Sequence, residues 1–340
     1  MFYNQTIYSV GSFPISVVVA DINNDNKSDV VVANRESNTI GVLLNSGNGI
    51  FSSQITHQVD KSPWFVAVGD MNRDNKLDIA VANYGAGTIS VLLNRGNGMF
   101  LSQVTYTASR YTYAVAVADV NNDNASDIVV ANAGAGNVGV LLNQGNGTFF
   151  NQITYTVDKA PVSIAMNDVN NDNKVDIIVA NYDSWTVSVL LNNGTGAFLS
   201  RSTYSVGTKP QSLAAGDVNN DNEIDIVVAN YGSDSVSVLV NRGDGTFLSQ
   251  VTYPTGTIPY SVVIGDMNGD NNQDIIVANS DSNTIGVLLG TGNGIFLSQL
   301  TYSVGTGPLS VAVGDVNNDN KIDIVAANYH GNTISILLHC

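Results

Sequence analysis

Side chains that could bind a cation recur seven times in a nine-residue segment of this chain. Each copy has Asp at positions 1, 5 and 9 and Asn at position 3, as in Asp21, Asn23, Asp25 and Asp29. Carboxylate and amide oxygens at these positions, with a backbone carbonyl at position 7, form the all-oxygen shell that Ca²⁺ prefers. The spacing therefore predicts up to seven Ca²⁺ ions, each held by positions 1, 3, 5, 7 and 9 of one copy. The predicted ligand positions are Asp21, Asn23, Asp25, Lys27 and Asp29; Asp70, Asn72, Asp74, Lys76 and Asp78; Asp119, Asn121, Asp123, Ala125 and Asp127; Asp168, Asn170, Asp172, Lys174 and Asp176; Asp217, Asn219, Asp221, Glu223 and Asp225; Asp266, Asn268, Asp270, Asn272 and Asp274; and Asp315, Asn317, Asp319, Lys321 and Asp323.

The acidic loop differs from several familiar metal sites. It lacks the Glu at position 12 of an EF-hand, and a β-branched strand follows where a helix would start. Mg²⁺ prefers to keep its waters, and Zn²⁺ would need Cys or clustered His. Position 6 requires a sharp turn and is Asn in every copy, for example Asn26, which tolerates the left-handed conformation. The alternative to a metal site is that the Asp and Asn side chains only form Asx-turns between two strands.

The charge balance favours a bound cation. The chain has 13 Lys and Arg against 29 Asp and Glu, a net charge of −16, which argues against binding nucleic acid or anionic membranes. Carboxylates that converge on one point repel one another unless a cation lies between them, and seven Ca²⁺ would bring the net charge from −16 to −2.

No apolar stretch is long enough to span a bilayer, and Cys340 is the only cysteine, which excludes an intrachain disulfide.

The elements that must position these loops follow from a repeat of 49 residues without insertion or deletion. Each repeat predicts four short strands rich in Val, Ile, Thr and Tyr, for example 310–314, 323–328, 333–338 and 247–253. The acidic loop joins the first strand to the second. Residues 1–340 are predicted to form a single domain with blades at about 11–59, 60–108, 109–157, 158–206, 207–255, 256–304, and 305–340 plus 1–10.

A four-stranded meander repeated seven times predicts an all-β fold, a seven-bladed β-propeller of antiparallel blades. An open β-solenoid is the alternative, but its coils are usually shorter and its ends need polar caps. The chain begins at the fourth strand of a repeat (2–10) and stops after the third. The N-terminal strand is therefore expected to pair beside residues 333–338, complete the last blade and close the ring.

Three motifs resemble the FG-GAP repeat of the VCBS type, and they cover essentially the whole chain. They are Gly-x-Phe at the fourth strand, Gly-Asp-Val-Asn-x-Asp after the first strand and Asp-Ile-Val-Val-Ala-Asn in the second. Such repeats build the seven-bladed propeller of integrin α-chain heads and similar extracellular proteins. The resemblance implies Ca²⁺ in the hairpin loop between the first and second strands. This chain has Ala-Asn-Tyr where the family often has Gly-Ala-Pro, and its seven loops are all intact, whereas integrin α-chains usually carry calcium in only some blades.

No catalytic constellation stands out, so we expect a protein that is not an enzyme. The connections of the acidic face, from first to second and from third to fourth strands, hardly vary between copies. The connections of the opposite, variable face differ and carry both tryptophans and several basic residues, which is typical of a binding surface. The predicted ligand-binding residues there are Trp64, Tyr111, Tyr113, Trp185 and Tyr260. The alternative is that Trp64, Tyr113 and Tyr260 only pack over the next blade.

Three functions remain open at this point. The first is a calcium-stabilised extracellular module for adhesion or protein interaction. The second is a lectin-like carbohydrate-binding module, and the third is a hydrolase or lyase, or the accessory propeller of a polysaccharide-active enzyme. We expect a monomer whose partner is a protein or a glycan on the variable face, with no nucleic acid and no membrane insertion. Since the first residues do not form a signal peptide, we expect a fragment of a longer secreted protein or an engineered chain.

Overall fold

The computed structural model describes residues 2–340, except for the side chain of Ser200. The regular secondary structure of this range is all β and forms seven four-stranded antiparallel sheets and one short extra hairpin. In six of these sheets the strands follow one another in chain order as a meander, and in the seventh the N-terminal strand lies beside the last strand of the chain. Residues 2–340 contain no helix with the length and apolar character needed to cross a membrane.

The four strands of a blade occupy the same repeat positions in all seven blades. The first strands are Pro14–Ala20, Pro63–Gly69, Thr112–Ala118, Pro161–Asn167, Pro210–Gly216, Pro259–Gly265 and Pro308–Gly314. The second strands are Asp29–Asn34, Asp78–Asn83, Asp127–Asn132, Asp176–Asn181, Asp225–Asn230, Asp274–Asn279 and Asp323–Asn328. The third strands are Thr39–Leu43, Thr88–Leu92, Asn137–Leu141, Thr186–Asn192, Ser235–Leu239, Thr284–Leu288 and Thr333–Leu337. The fourth strands are Ile55–Gln58, Val104–Thr107, Ile153–Thr156, Phe198–Ser205, Val251–Pro254, Leu300–Ser303 and, for blade 7, Thr6–Ser9.

Burial decreases from the middle of each blade to its outer edge. The second strands are buried along their whole length, which explains their nearly continuous runs of Val, Ile and Ala. The fourth strands lie at the outer edge and are largely exposed, as in Val104–Thr107. The apolar core lies between adjacent blades: Val227 of blade 5, for example, shares a cluster with Ile275 and Val277 of blade 6.

The fourth strands are shorter than predicted in most blades. The strand expected at 247–253 begins only at Val251, and Phe247 forms an isolated bridge with Asn241. The Phe side chain turns into the space between blades, where its ring meets Tyr204 of the preceding blade edge-on at 5.3 Å. In blade 2 the same region forms the extra hairpin, Asn94–Gly96 with Met99–Phe100.

The ring is closed by the N-terminal strand, as predicted. Thr6–Ser9 pairs antiparallel with Thr333–Leu337 and completes the sheet of blade 7. The strand is shorter than the predicted 2–10, and Phe2 reaches His339 through an isolated bridge. Closure is also made at the inner strands, where the amide of Val17 in blade 1 donates to Ser310 Oγ in blade 7 at 3.1 Å. The fold is therefore a seven-bladed β-propeller.

Candidate functional site

The acidic loops adopt one conformation throughout the ring. The Asn at position 6 has a positive φ in all seven loops, between 60° and 66°, which confirms the left-handed turn expected there. Position 4 is also left-handed in every loop, for example at Asn24 (φ 59°) and Gly269 (φ 76°), which the sequence reasoning missed. Two left-handed residues separated by one position curl the chain so that its amides point into the loop.

Side-chain oxygens of the loop converge on these inward-pointing amides. In blade 1, Asp21 Oδ1 and Asn23 Oδ1 both accept from the amide of Asp25, at 3.1 and 3.0 Å. The other oxygen of Asp21 accepts from the amide of Asn26 at 2.8 Å, and Asp25 Oδ1 accepts from the amide of Lys27. The other loops repeat the convergence of positions 1 and 3. Asx-turns are therefore present, and they orient the same oxygens that a cation would need.

The Asp at position 9 plays a different part from the Asp at positions 1 and 5. It is fully buried in every blade, and both of its oxygens accept backbone amides. In blade 4, Asp176 Oδ2 accepts from Val169 at 3.1 Å and Oδ1 accepts from Asn192 at 2.7 Å. The amide side chain of Asn192 in turn donates to Val120 O of blade 3 at 2.8 Å. Position 9 therefore ties the acidic loop to the chain at the end of the third strand, and in blades 1 to 5 an Asn there ties one blade to the next.

Lysine side chains at position 7 neutralise part of this charge. Their ammonium groups lie on the carboxylate of position 5 at 3.4 Å for Lys27 with Asp25 and at 2.9 Å in two further loops. The sequence pattern predicts a role only for the backbone carbonyl of position 7. In residues 2–340, no three side chains of His, Cys, Asp or Glu are grouped closely enough to hold a metal ion by themselves. The oxygen chemistry of the loops fits a hard cation, and binding would require Lys27 and its counterparts to move aside.

The buried Asp residues make stability depend on pH. Burial raises the pKa of Asp78, Asp127, Asp176, Asp225 and Asp274 from 3.8 to about 6, against the lowering effect of their backbone hydrogen bonds. The nearby Asp residues at positions 5 and 1 raise it further. An acid whose pKa is higher in the folded chain holds its proton there while the unfolded chain has already lost it.

In EGTA, we therefore expect the free energy of unfolding to be highest near pH 4 and to fall as the pH rises through about 6. The loss is on the order of 3 kcal/mol for a single site, because one pKa unit corresponds to about 1.4 kcal/mol. Urea denaturation between pH 4 and pH 7.5 measures this. A free energy that is constant or rises over that interval in EGTA would contradict it.

On the variable face, one repeat position surrounds the axis of the ring. It is the second residue of each first strand and is different in nearly every blade: Ile15, Trp64, Tyr113, Val162, Gln211, Tyr260 and Leu309. These residues line a small axial cavity of about 30 Å³. The hydroxyl groups of Tyr113 and Tyr260, which come from blades 3 and 6, lie 3.3 Å apart, and Gln211 Nε2 donates to Tyr113 Oη at 3.3 Å. Burial raises the pKa of both tyrosines, so their hydroxyls stay protonated at neutral pH.

An open recess of about 460 Å³ lies on the outer side of these residues. Its lining includes six tyrosines together with Gln211 and Asp183, and the apolar side chains in it are only those of Ala and Val. The six are Tyr84, Tyr111, Tyr113, Tyr182, Tyr231 and Tyr260. Because Tyr113, Val162, Gln211 and Tyr260 also line the axial cavity, they form the floor of the recess. The recess is thus a concave site of the size and aromatic character that small ligands use.

Basic side chains lie on the aromatic rings at the rim. Lys209 Nζ is 5.8 Å from the ring centre of Tyr182 and 6.0 Å from that of Tyr231. The guanidinium of Arg110 lies over the adjacent Tyr111, and that of Arg35 lies over Trp64. The only ion pair of these three cations within residues 2–340 joins Arg35 to Glu36.

The structure brings together some of the predicted ligand-binding residues and not others. Tyr111, Tyr113 and Tyr260 line the recess, whereas Trp64 lines the axial cavity and packs on Tyr84 and Tyr113 with ring centres 4.8 and 4.7 Å apart. Packing is therefore part of the role of Trp64. Trp185 lies on the variable face with half of its surface exposed, but it does not line the recess.

Sequence reasoning missed Tyr84 and Tyr231 as site residues. Both follow the last Asn of a second strand, at a repeat position that is Tyr in four blades and Arg, Ala or Ser in the others. That variation between otherwise similar repeats was a signal that could have found them.

Three solved structures illustrate the fold. The complex of BBS1N with ARL6DN contains a chain that is 14% identical, with a TM-score of 0.71, covering 100% of this chain and 97% of that one. Virginiamycin B lyase from Staphylococcus aureus is 13% identical with a TM-score of 0.69, covering 99% of each chain. A lectin of Agrocybe aegerita that recognises non-reducing terminal N-acetylglucosamine is 18% identical with a TM-score of 0.60, covering 97% of this chain and 96% of the lectin. At these identities the likeness shows the fold alone, and a comparison with curated proteins gives no match.

A family model describes the repeats themselves. The model for FG-GAP-like repeats matches six overlapping stretches, at residues 21–81, 70–130, 119–179, 168–228, 217–277 and 266–326. Each stretch begins at position 1 of an acidic loop and ends in the second strand of the following blade. Together they cover residues 21–326, which include all seven acidic loops. With the seven-bladed architecture and the repeat matches in agreement, this chain belongs to the FG-GAP-like repeat family.

Proposed function

We propose that this chain is a non-catalytic, calcium-binding scaffold that acts outside the cell in adhesion or protein interaction, as a monomer. The observation that carries the proposal is the difference between its two faces. The acidic face repeats almost unchanged, whereas the variable face gathers unlike aromatic and basic residues around a recess on the axis. A surface that departs from its own repeat is where a specific partner would be recognised.

In this proposal, Ca²⁺ stabilises the scaffold by binding to the acidic loops. The all-oxygen donor set of the loops and the convergence of positions 1 and 3 fit a hard cation. Weak calcium loops are filled best outside the cell, where calcium is near millimolar. When bound, the ion would neutralise the converging Asp carboxylates of a loop, and it would hold that loop in its curled conformation.

The ligand sets can be tested one at a time. We expect Asp168→Ala to lower the number of bound Ca²⁺ from seven to six, because Asp168 provides both oxygens of position 1 in one loop. Native mass spectrometry counts the ions. Thr148→Ala, a surface change on the same acidic face but outside the ligand set, should keep all seven. A count of seven for Asp168→Ala would show that this loop is not a ligand set.

A lectin-like function is the second candidate, because tyrosine rings above a floor of hydroxyl and amide groups suit a sugar. The solved relatives include both a protein complex and a lectin, which supports either kind of partner. The test is binding of the purified chain to a panel of extracellular matrix proteins and to a glycan array, with calcium and with EGTA. Tyr182→Ala and Tyr231→Ala should abolish binding, and Thr148→Ala on the acidic face should leave it unchanged. Binding that survives both tyrosine changes, or no binding on either panel, would contradict the proposed surface.

A further inference from the structure

We propose that the recess binds a sugar that carries a carboxylate, with its ring on the tyrosines and its carboxylate at Lys209. The inference rests on the proposed function, since it names the ligand of the same surface. It follows from three features of the recess: the tyrosine rings of its wall, the hydroxyl and amide groups of its floor, and the basic side chains without an ion pair at its rim.

The wall favours a hydroxylated ring over an apolar side chain. Six tyrosines line the recess, while its aliphatic lining is limited to Ala133, Ala160 and Val162. The face of an aromatic ring is electron-rich and attracts the partly positive C–H groups of a pyranose. Tyr182 and Tyr231 form one such pair of rings, with centres 6.0 Å apart. A purely apolar ligand would leave the tyrosine hydroxyls without partners, which is costly in a concave site.

The floor offers hydrogen bonds without a formal charge. Tyr113 Oη, Tyr260 Oη and Gln211 Nε2 are joined in one short chain of hydrogen bonds. Each hydroxyl can donate and accept, and the amide offers both kinds of group. Sugar hydroxyls have the same dual character, so the floor matches them without requiring a charged partner.

The rim supplies the charge. Lys209 and Arg110 stand over recess tyrosines, and Lys159 precedes the lining residue Ala160. Within residues 2–340, no carboxylate lies within salt-bridge distance of these three cations, although the chain as a whole has a net charge of −16. Asp183 is the one acid in the lining, and its side chain is exposed. The unpaired cations therefore complement an anionic ligand, and Asp183 opposes it.

Digalacturonic acid and its dimethyl ester test the proposal, because they share the sugar rings and differ in charge. Titration followed by calorimetry in 1 mM CaCl₂ should show binding of the acid and at least tenfold weaker binding of the ester. Lys209→Met keeps much of the side-chain length without the charge, and it should weaken binding of the acid about tenfold. Asp183→Asn should strengthen it. The matched control is Lys61→Met, since both lysines are exposed on the same face but, of the two, Lys209 is the one that stands over recess tyrosines within the described residues.

The opposite results would overturn the inference. Equal binding of acid and ester would show that the carboxylate is not recognised. Binding of the acid that is unchanged by both Lys209→Met and Tyr231→Ala would place it elsewhere, for example on calcium in the acidic loops. If neither sugar binds while the matrix-protein panel still requires Tyr182 and Tyr231, the inference fails and the proposed function stands.

Discussion

Removal of calcium with EGTA is expected to lower the melting temperature of this chain by well over ten degrees. A ligand that binds only the folded state stabilises it by about 2.7 kcal/mol per site at a hundred times its Kd. Three filled loops would therefore contribute about 8 kcal/mol, and each kcal/mol shifts the melting temperature by about 2–4 °C in chains of somewhat smaller size. The loops lie between the first and second strands of every blade, so the effect reaches the whole ring.

Differential scanning calorimetry in calcium, in EGTA, and in EGTA with excess Mg²⁺ measures this effect. Calcium added back to the EGTA sample should restore the melting temperature. Mg²⁺ should not restore it, because it gives up its waters reluctantly and the flexible loop offers no octahedral site. Identical melting curves in calcium and EGTA would contradict the proposal that calcium stabilises the fold.

Deletion of residues 1–10 is expected to produce the second large effect, a fall of about ten degrees or more in melting temperature. The deletion removes the fourth strand of blade 7 and exposes the edge of Thr333–Leu337. It also removes Tyr8, whose ring covers Phe51 of blade 1 at 5.6 Å. Uncovering roughly 300 Å² of apolar surface costs about 7 kcal/mol. The exposed edge would also invite pairing with another chain, so association should increase.

A circular permutant provides the matched control. In it, residues 1–10 follow Cys340 through a short flexible linker and can occupy the same place. The ends are close enough for this, since the amide of Tyr3 donates to Leu338 O at 2.9 Å. The permutant should regain the melting temperature of the parent chain. A deletion with the same melting temperature as the parent would contradict closure by this strand.

Much of the fold could be predicted because the turn residues and strand-forming runs of each repeat act over short distances in the sequence. The Asn at position 6 predicted a left-handed turn, and the structure has one in all seven loops. The runs of Val and Ile predicted the second strands, which the structure has at the same repeat position in every blade. The predicted start of the fourth strand was wrong in most blades: Phe247 pairs with Asn241 only through an isolated bridge, and regular pairing begins at Val251.

The acidic loops and the recess differ in how much of each could be predicted from the sequence. The acidic loop is local, so its oxygen spacing is visible in nine residues. The buried Asp176, however, also accepts from the amide of Asn192 at the end of the third strand, which lies outside those nine residues. The recess is not local at all. Tyr113 and Tyr260 are 147 positions apart in the chain, and their hydroxyls meet at the axis.

The sequence alone determined the period, the strands, the loop conformation and the way the ring closes, because these depend on interactions within one repeat or on its register. Only the tertiary structure decided which variable residues share a site. Seven blades around one axis bring residues at the same repeat position, from blades far apart in the chain, together at the end of the axis. The distances between those residues cannot be seen in the pattern of a single repeat.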